Sequence, residues 1–171
     1  MRHRWNLFET YTVPSVLSQT EKRFTWLVLF DKDTDHTWLP LIEIGPYVPL
    51  FLSSDWLKEL QDFIQPYSWI VTTRLDNDDV LHPEFMATVQ RGVTKKRHFL
   101  NITNGFIQRG KKLYPENHTH NPFISFIEPG AAKTVYHVAH GRAMESVAPV
   151  RQVLGQRLWT QIIHERNYIN G

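Results

Sequence analysis

The sequence predicts an α/β fold, an open mixed sheet flanked by helices, and three observations carry that prediction. Short apolar runs rich in β-branched and aromatic residues alternate with stretches of helical spacing. One of those runs stops in Asp76-Asn77-Asp78-Asp79, three carboxylates within four residues. Open α/β sheets bind ligands beyond the carboxyl ends of their strands, which is where this cluster falls. The length, 171 residues with 42% apolar content, suits one domain over 1–171 with its own core.

The elements follow in order. Trp5, Phe8, Tyr11 and Thr12 share a helical face that Val16 and Leu17 extend, with Pro14 expected to kink it. Phe24 to Phe30 reads as a buried strand closed by Asp31-Lys32-Asp33. Residues 40–51, with several prolines and Gly45, read as loop or edge. Ser53 or Ser54 is placed to cap a helix through Ile64, with Trp56, Leu60, Phe63 and Ile64 on one face. Ile70 to Arg74 is the next strand. His82-Pro83-Glu84 opens a helix to Arg91. Phe99 to Thr103, Asn104-Gly105 and Phe106 to Gln108 read as a hairpin. Phe123 to Ile127 and Thr134 to Val138 are further strands, and Val150 to His164 a last helix that tolerates Gly155. The order is unusual in one respect, because α/β domains normally open with a strand and this chain opens with a helix.

Composition narrows the function. A formal charge of +2 gives no argument for nucleic acid. The absence of cysteine excludes disulfides and thiolate metal sites, and a cytoplasmic location is expected. No apolar run approaches the ~20 residues that span a bilayer, and Met1-Arg2-His3-Arg4-Trp5 has no apolar stretch behind its basic residues to make a secretory signal. Six Trp, six Tyr and ten Phe suit a core and also sites for flat or ring-shaped ligands.

The acidic cluster is the strongest candidate site. Packing three anions together costs repulsion unless a cation, or a ligand carrying one, shares the site. In an extended segment Asp76 and Asp78 face one side and Asp79 the other, with Arg74 on the Asp76 side to balance charge or meet a phosphate. The plainer alternative is a solvated turn with Asp79 as a helix cap. An EF-hand is excluded, since its fifth, sixth and twelfth positions would be Val80, Leu81 and Ala87. Among the histidines, His137/His140 and His118/His120 have spacings that can share a metal, and there is no H-E-x-x-H. His140 and His164 stand out because each follows an apolar segment. His3, His36, His98 and His118 read as surface or hydrogen-bonded residues. The basic run Lys95-Lys96-Arg97-His98, with Arg109, Lys111 and Lys112, reads as a solvated hairpin, or as a contact for diphosphate or an anionic membrane surface. Glu128 ends an apolar strand before a turn, as a general base or as a water-facing turn residue.

Leu75-Asp76-Asn77-Asp78-Asp79 resembles the D-x-D metal and sugar-nucleotide motif of GT-A-fold glycosyltransferases. Together with Phe8 to Val16, Gln19-Thr20, Phe24 to Val28, Thr72 to Asp79 and Trp159 to His164, it resembles a bacterial rhamnosyltransferase family. That resemblance implies a GT-A-like fold, a nucleoside-diphosphate sugar donor, a saccharide or lipid-linked acceptor, and Mn²⁺ or Mg²⁺. It implies Asp78 on the metal, Asp76 on the metal or the donor's ribose, Arg74 and Asn77 toward the donor, and Asp79 near the sugar as a catalytic residue. It matches His164, then His140, to a further metal ligand, and Glu128 to the catalytic base. Peripheral contact with the inner face of the membrane is a further expectation. Family members usually carry a strand-forming segment before the position of Trp5, so an N-terminally shortened sheet is expected. Two other functions fit the residues: a metal-dependent phosphohydrolase using His137 and His140, and a non-catalytic saccharide- or partner-binding module with an open sheet edge.

Overall fold

The computed structural model describes residues 1–64, 67–130, 133–137 and 141–164, and within these it is a mixed α/β structure. The chain begins with helix α1 (Arg2–Leu7), passes through a π-helical stretch (Phe8–Thr12) and continues as α2 (Val13–Leu17). The π stretch sits directly before Pro14. A proline ring clashes with the carbonyl four residues back, and widening the turn relieves this: Val13 N–H bonds the carbonyl of Phe8.

Strand β1 (Leu27–Asp31) pairs in parallel with β2 (Val48–Leu52), and α3 (Leu39–Glu43) lies between them in sequence. Residues 40–51 are therefore a short helix, a turn over 44–47 and an edge strand, where loop or edge was expected. Pro40 occupies the helix's first turn, where no N–H is needed, and Pro49 is confined to the two-stranded sheet. Helix α4 (Trp56–Ile64) buries Leu60 and Ile64 against Leu27, Leu29 and Leu50, and also against Ile70 of β3 (Trp69–Thr73). One helix thus packs on both strands that end at the site.

The remaining strands form two four-stranded sheets. One runs β3, β8 (Ser125–Pro129), β5 (His98–Ile102), β9 (Val150–Val153). The other runs β4 (Val80–Leu81), β10 (Trp159–Ile163), β6 (Asn104–Arg109), β7 (Lys112–Asn117). Helix α5 (Phe85–Gly92) inserts Phe85 and Val89 among Leu81, Leu100, Ile102, Phe123 and Trp159. The Phe123 and Trp159 rings stack 4.9 Å apart.

Three expectations are corrected. The stretch 150–164 is two strands, not a helix. Gly155 has φ 123°, outside the helical region, and the β-branched residues on either side pair with β5 and β6 instead. Residues 99–108 are not a hairpin, because β5 and β6 belong to different sheets and the chain crosses between them at Thr103. Gly105 is small for packing, not for turning: a Cβ there would lie 2.1 Å from the Trp159 ring. The true hairpin is β6–β7, turning at Gly110 with φ 60°. Its basic residues therefore have no strand pairing with Lys95 to His98. Thr134 to His137 is a turn rather than a strand, and Val138 lies outside the described residues. Among the described residues no helix is long and apolar enough to cross a membrane.

Candidate functional site

The acidic turn is the joint where the chain leaves the end of β3 and enters β4 in the other four-stranded sheet. Arg74 still belongs to the first sheet, donating its N–H to the carbonyl of Ile124 at 3.1 Å. Its guanidinium returns to Asp76, with Nε 3.1 Å from Oδ1 and Nη2 3.3 Å from Oδ2. Asp79 N–H closes the turn on the carbonyl of Asp76 at 3.3 Å.

Each carboxylate then has a different task. Asp78 meets His164, the residue just past β10, with Oδ2 and Nε2 2.9 Å apart. Both side chains are less than one-fifth exposed. Asp79 points the other way, is 3% exposed, and accepts the backbone N–H of Ile162 at 2.8 Å. Burial pushes its carboxyl up to about 8, against the N–H of Ile162, which favours the anion. Asp78 and Asp76 raise it further. Asp79 tethers β10 to the turn, so it holds His164 in range of Asp78.

The N-terminal helices brace the turn from outside. Thr12 Oγ1 donates to the carbonyl of Asp79 at 3.0 Å. Gln19, 1% exposed, donates to the carbonyl of His82 and accepts from Met86 N–H, each at 2.9 Å. Between these elements lies a cavity of about 670 Å³, within the range of small-molecule sites. The acidic turn from Arg74 to Asp79 forms one wall, and all five residues of β1 form another. Trp5, Phe8, Trp26, Phe30 and Tyr136 supply aromatic surface.

The structure therefore brings together Arg74, Asp76, Asn77, Asp78, Asp79 and His164. Glu128 does not join them. It is 3% exposed, does not line the cavity, and accepts the N–H of Thr134 at 2.8 Å. That location removes the basis for placing it as the base: the apolar strand end that suggested a pocket is the interior of the β3–β8 pair. His140 lies outside the described residues, and His137 is exposed and does not line the cavity. Sequence reasoning passed over Thr12, Gln19, Asp31, Trp26 and Tyr136 as site residues. For Thr12 and Gln19 the signal was a polar residue on an otherwise apolar helix face or end. For Tyr136 there was none, since its position depends on the turn before it.

A divalent cation can be tested against this donor set. The described residues contain no group of three or more His, Asp or Glu already arranged as a metal centre. Asp78 Oδ2 and His164 Nε2, however, stand 2.9 Å apart. Adjacent ligands of an octahedral ion with bonds of ~2.1 Å are separated by roughly 3 Å, so this pair fits two neighbouring positions. Magnesium-type sites commonly use one or two protein ligands and complete the shell with water and phosphate oxygens.

Residues 1–45 match the family model described as "Putative rhamnosyl transferase". The match bears out the family resemblance over that segment and points, at a coarse level, to a glycosyltransferase-like function with a sugar donor and an acceptor. It covers about a quarter of the chain, 45 of 171 residues, and ends before the acidic turn. The matched segment nevertheless supplies Thr12, which braces that turn, Gln19, which holds the chain just beyond β4, and the β1 wall of the cavity. A comparison with curated proteins finds no significant match.

Proposed function

We propose that the protein is a metal-dependent glycosyltransferase that moves a sugar, rhamnose by the family's description, from a nucleoside-diphosphate donor to a saccharide or lipid-linked acceptor. The observation that carries this reading is the convergence of Arg74, Asp76 and Asp78 on one cavity beside the family-matched segment, with His164 held against Asp78 at 2.9 Å. Asp78 and His164 would hold Mn²⁺ or Mg²⁺, and Asp76 faces the same cavity. When bound, the cation neutralises charge on a leaving diphosphate.

The chain's own groups supply the rest. Arg74 lies along the acidic turn and offers N–H donors to anionic oxygens. Asn77, exposed at the tip of the turn, presents an amide to the donor. Asp79 stays buried and ties the turn to β10, which keeps His164 beside Asp78. Asp31, at the end of β1, is the one cavity carboxylate outside the acidic turn among the described residues. It is therefore the residue to test as acceptor of the incoming hydroxyl's proton. The absence of cysteine and of a membrane-crossing helix among the described residues suits a cytoplasmic enzyme acting at the inner face of the membrane.

The test is donor hydrolysis by the protein with Mn²⁺ across UDP-, dTDP- and GDP-sugars, including a rhamnose donor. Turnover of at least one donor that disappears in Asp78→Asn supports the reading; no Asp78-dependent turnover of any donor overturns it. A second reading, a saccharide- or partner-binding module, is favoured by one observation. Strand β1 pairs only with β2 among the described strands, and its residues line the cavity. Nucleoside-diphosphate binding without turnover, in a folded protein, would select it.

A further inference from the structure

Tyr136 sits where nothing in its local sequence would put it, and the turn that places it is strained. Thr134 has φ 63°, the single positive value for a non-glycine among the described residues. A β-branched residue in that region is a true outlier and persists only where the surroundings fix it. The surroundings here are unusually complete. Thr134 is 1% exposed, and its N–H is held by the buried Glu128 carboxylate at 2.8 Å. Val135 N–H bonds Thr72 Oγ1 of β3 at 2.8 Å, Tyr136 N–H bonds Thr134 Oγ1 at 3.2 Å, and His137 N–H bonds the Thr134 carbonyl at 3.2 Å.

The product of this clamp is one ring in one place. Tyr136 lines the main cavity and also a smaller one of about 290 Å³ beside Trp56, and with Leu29, Phe30 and Asp31, which line both, it stands between them. Its edge meets Trp56 at 5.6 Å between ring centroids. The Arg74 guanidinium carbon lies 5.8 Å from its centroid, over the ring. Arg74 in turn grips Asp76. A buried carboxylate, a strained turn, an aromatic face and the cavity arginine thus form one continuous chain of contacts.

We propose that Tyr136 is a positioning residue of the donor pocket, bracing Arg74 toward the cavity, and that the Glu128–Thr134 clamp exists to hold it there. The proposal rests on the donor-pocket reading above, and it assigns Glu128 to positioning. An arginine braced by a ring face loses less freedom when it binds diphosphate oxygens.

The experiment is calorimetric binding of UDP and dTDP in the presence of Mn²⁺. Tyr136→Leu is expected to weaken the diphosphates about fivefold to tenfold, and Tyr136→Phe, which keeps the ring face, to restore them. Glu128→Gln should weaken them in the same direction. In an Arg74→Ala background Tyr136→Leu should make no further difference, a coupling that a general loss of structure would not produce. Thermal melting checks that each variant folds, and Tyr136→Met replaces Tyr136→Leu in the same cycle if the latter does not. Wild-type binding that requires Asp78 but is unchanged by the Tyr136 substitutions, or weakened equally with and without Arg74, overturns this inference and leaves the donor reading standing. Failure of the wild type to bind either diphosphate overturns both.

Discussion

The seam around Asn101 and Asn121 and the turn from Arg74 to Asp79 both gather polar side chains, yet the first closes on itself and the second opens onto a cavity. Asn101 and Asn121 are both fully buried. Asn101 Nδ2 donates to the His118 carbonyl and to Gln152 Oε1, while its own oxygen accepts Asn121 N–H. Asn121 Nδ2 donates to the Ile102 carbonyl at 2.7 Å, and its oxygen accepts Phe123 N–H at 2.9 Å. These are neutral amides satisfying backbone groups where the chain crosses from β5 to β6. In the acidic turn, Asp76 meets Arg74, Asp78 meets His164 and Asp79 accepts a backbone N–H, three carboxylates crowded beside open volume. The difference teaches how to separate polar residues that hold a fold from those that wait for a ligand. The first kind is neutral and internally paired, and the second is crowded with like charge at the rim of a cavity.

Substitutions should break this contrast in order of size. Asn121→Leu leaves the Phe123 N–H buried without its partner, while the Ile102 carbonyl keeps only the Trp159 Nε1–H. It should cost about 3 kcal/mol of stability by chemical denaturation, the upper end of about 1–3 kcal/mol for one orphaned buried group, and the folded fraction should bind nucleotide as before. Asp78→Asn should do the reverse, leaving the denaturation midpoint nearly unmoved while metal-dependent donor turnover falls at least about a hundredfold. Gly105→Ala, beside the same crossing, drives a methyl into Trp159, whose Nε1–H is held by the Ile102 carbonyl at 2.7 Å. A loss of about 2 kcal/mol is expected from overpacking.

The fourth substitution, Asp79→Asn, sharpens the boundary, because Asp79 belongs to the acidic turn yet is buried like the seam. With its carboxyl pushed up to about 8 from an ordinary 3.8, the folded protein holds a proton that the unfolded chain has released between those values. Stability should therefore fall as pH rises through that window and level off above it. Asp79→Asn removes the slope, so melting temperatures compared from pH 5 to 8.5 in EDTA should show wild type losing stability relative to the variant as pH rises. Parallel curves for the two proteins would mean that Asp79 is ionised in the folded state.

How much of this was legible beforehand follows from the range of the forces involved. The strand before the acidic turn, helix α4 and helix α5 were readable, because apolar periodicity and capping residues act within a few positions. What failed depended on partners distant in sequence. Asn104-Gly105 has the composition of a hairpin turn, but Trp159, more than fifty positions away, decides why the glycine is there. Residues 150–164 have helical spacing, yet β5 and β6 offered strand edges that only the folded sheet supplies. Glu128 was misplaced because an apolar strand end looks the same whether it faces a pocket or an interior turn. His164 was found by its place after an apolar segment, although that segment was taken for a helix rather than β10.

The acidic turn joins two sheets, and that has a mechanical consequence. Asp78 stands where one sheet hands the chain to the other, and His164 is the first residue beyond a strand of the second. A cation gripping both would act as a removable cross-link between sheets, at a point where the chain already crosses. By mass action such a cross-link deepens the native well by RT ln(1 + [L]/Kd), about 2.7 kcal/mol at a hundredfold excess over Kd. Amide exchange in β4 and β10 should then slow with added Mn²⁺, while exchange in β1 and β2, which lie in a separate sheet, should not.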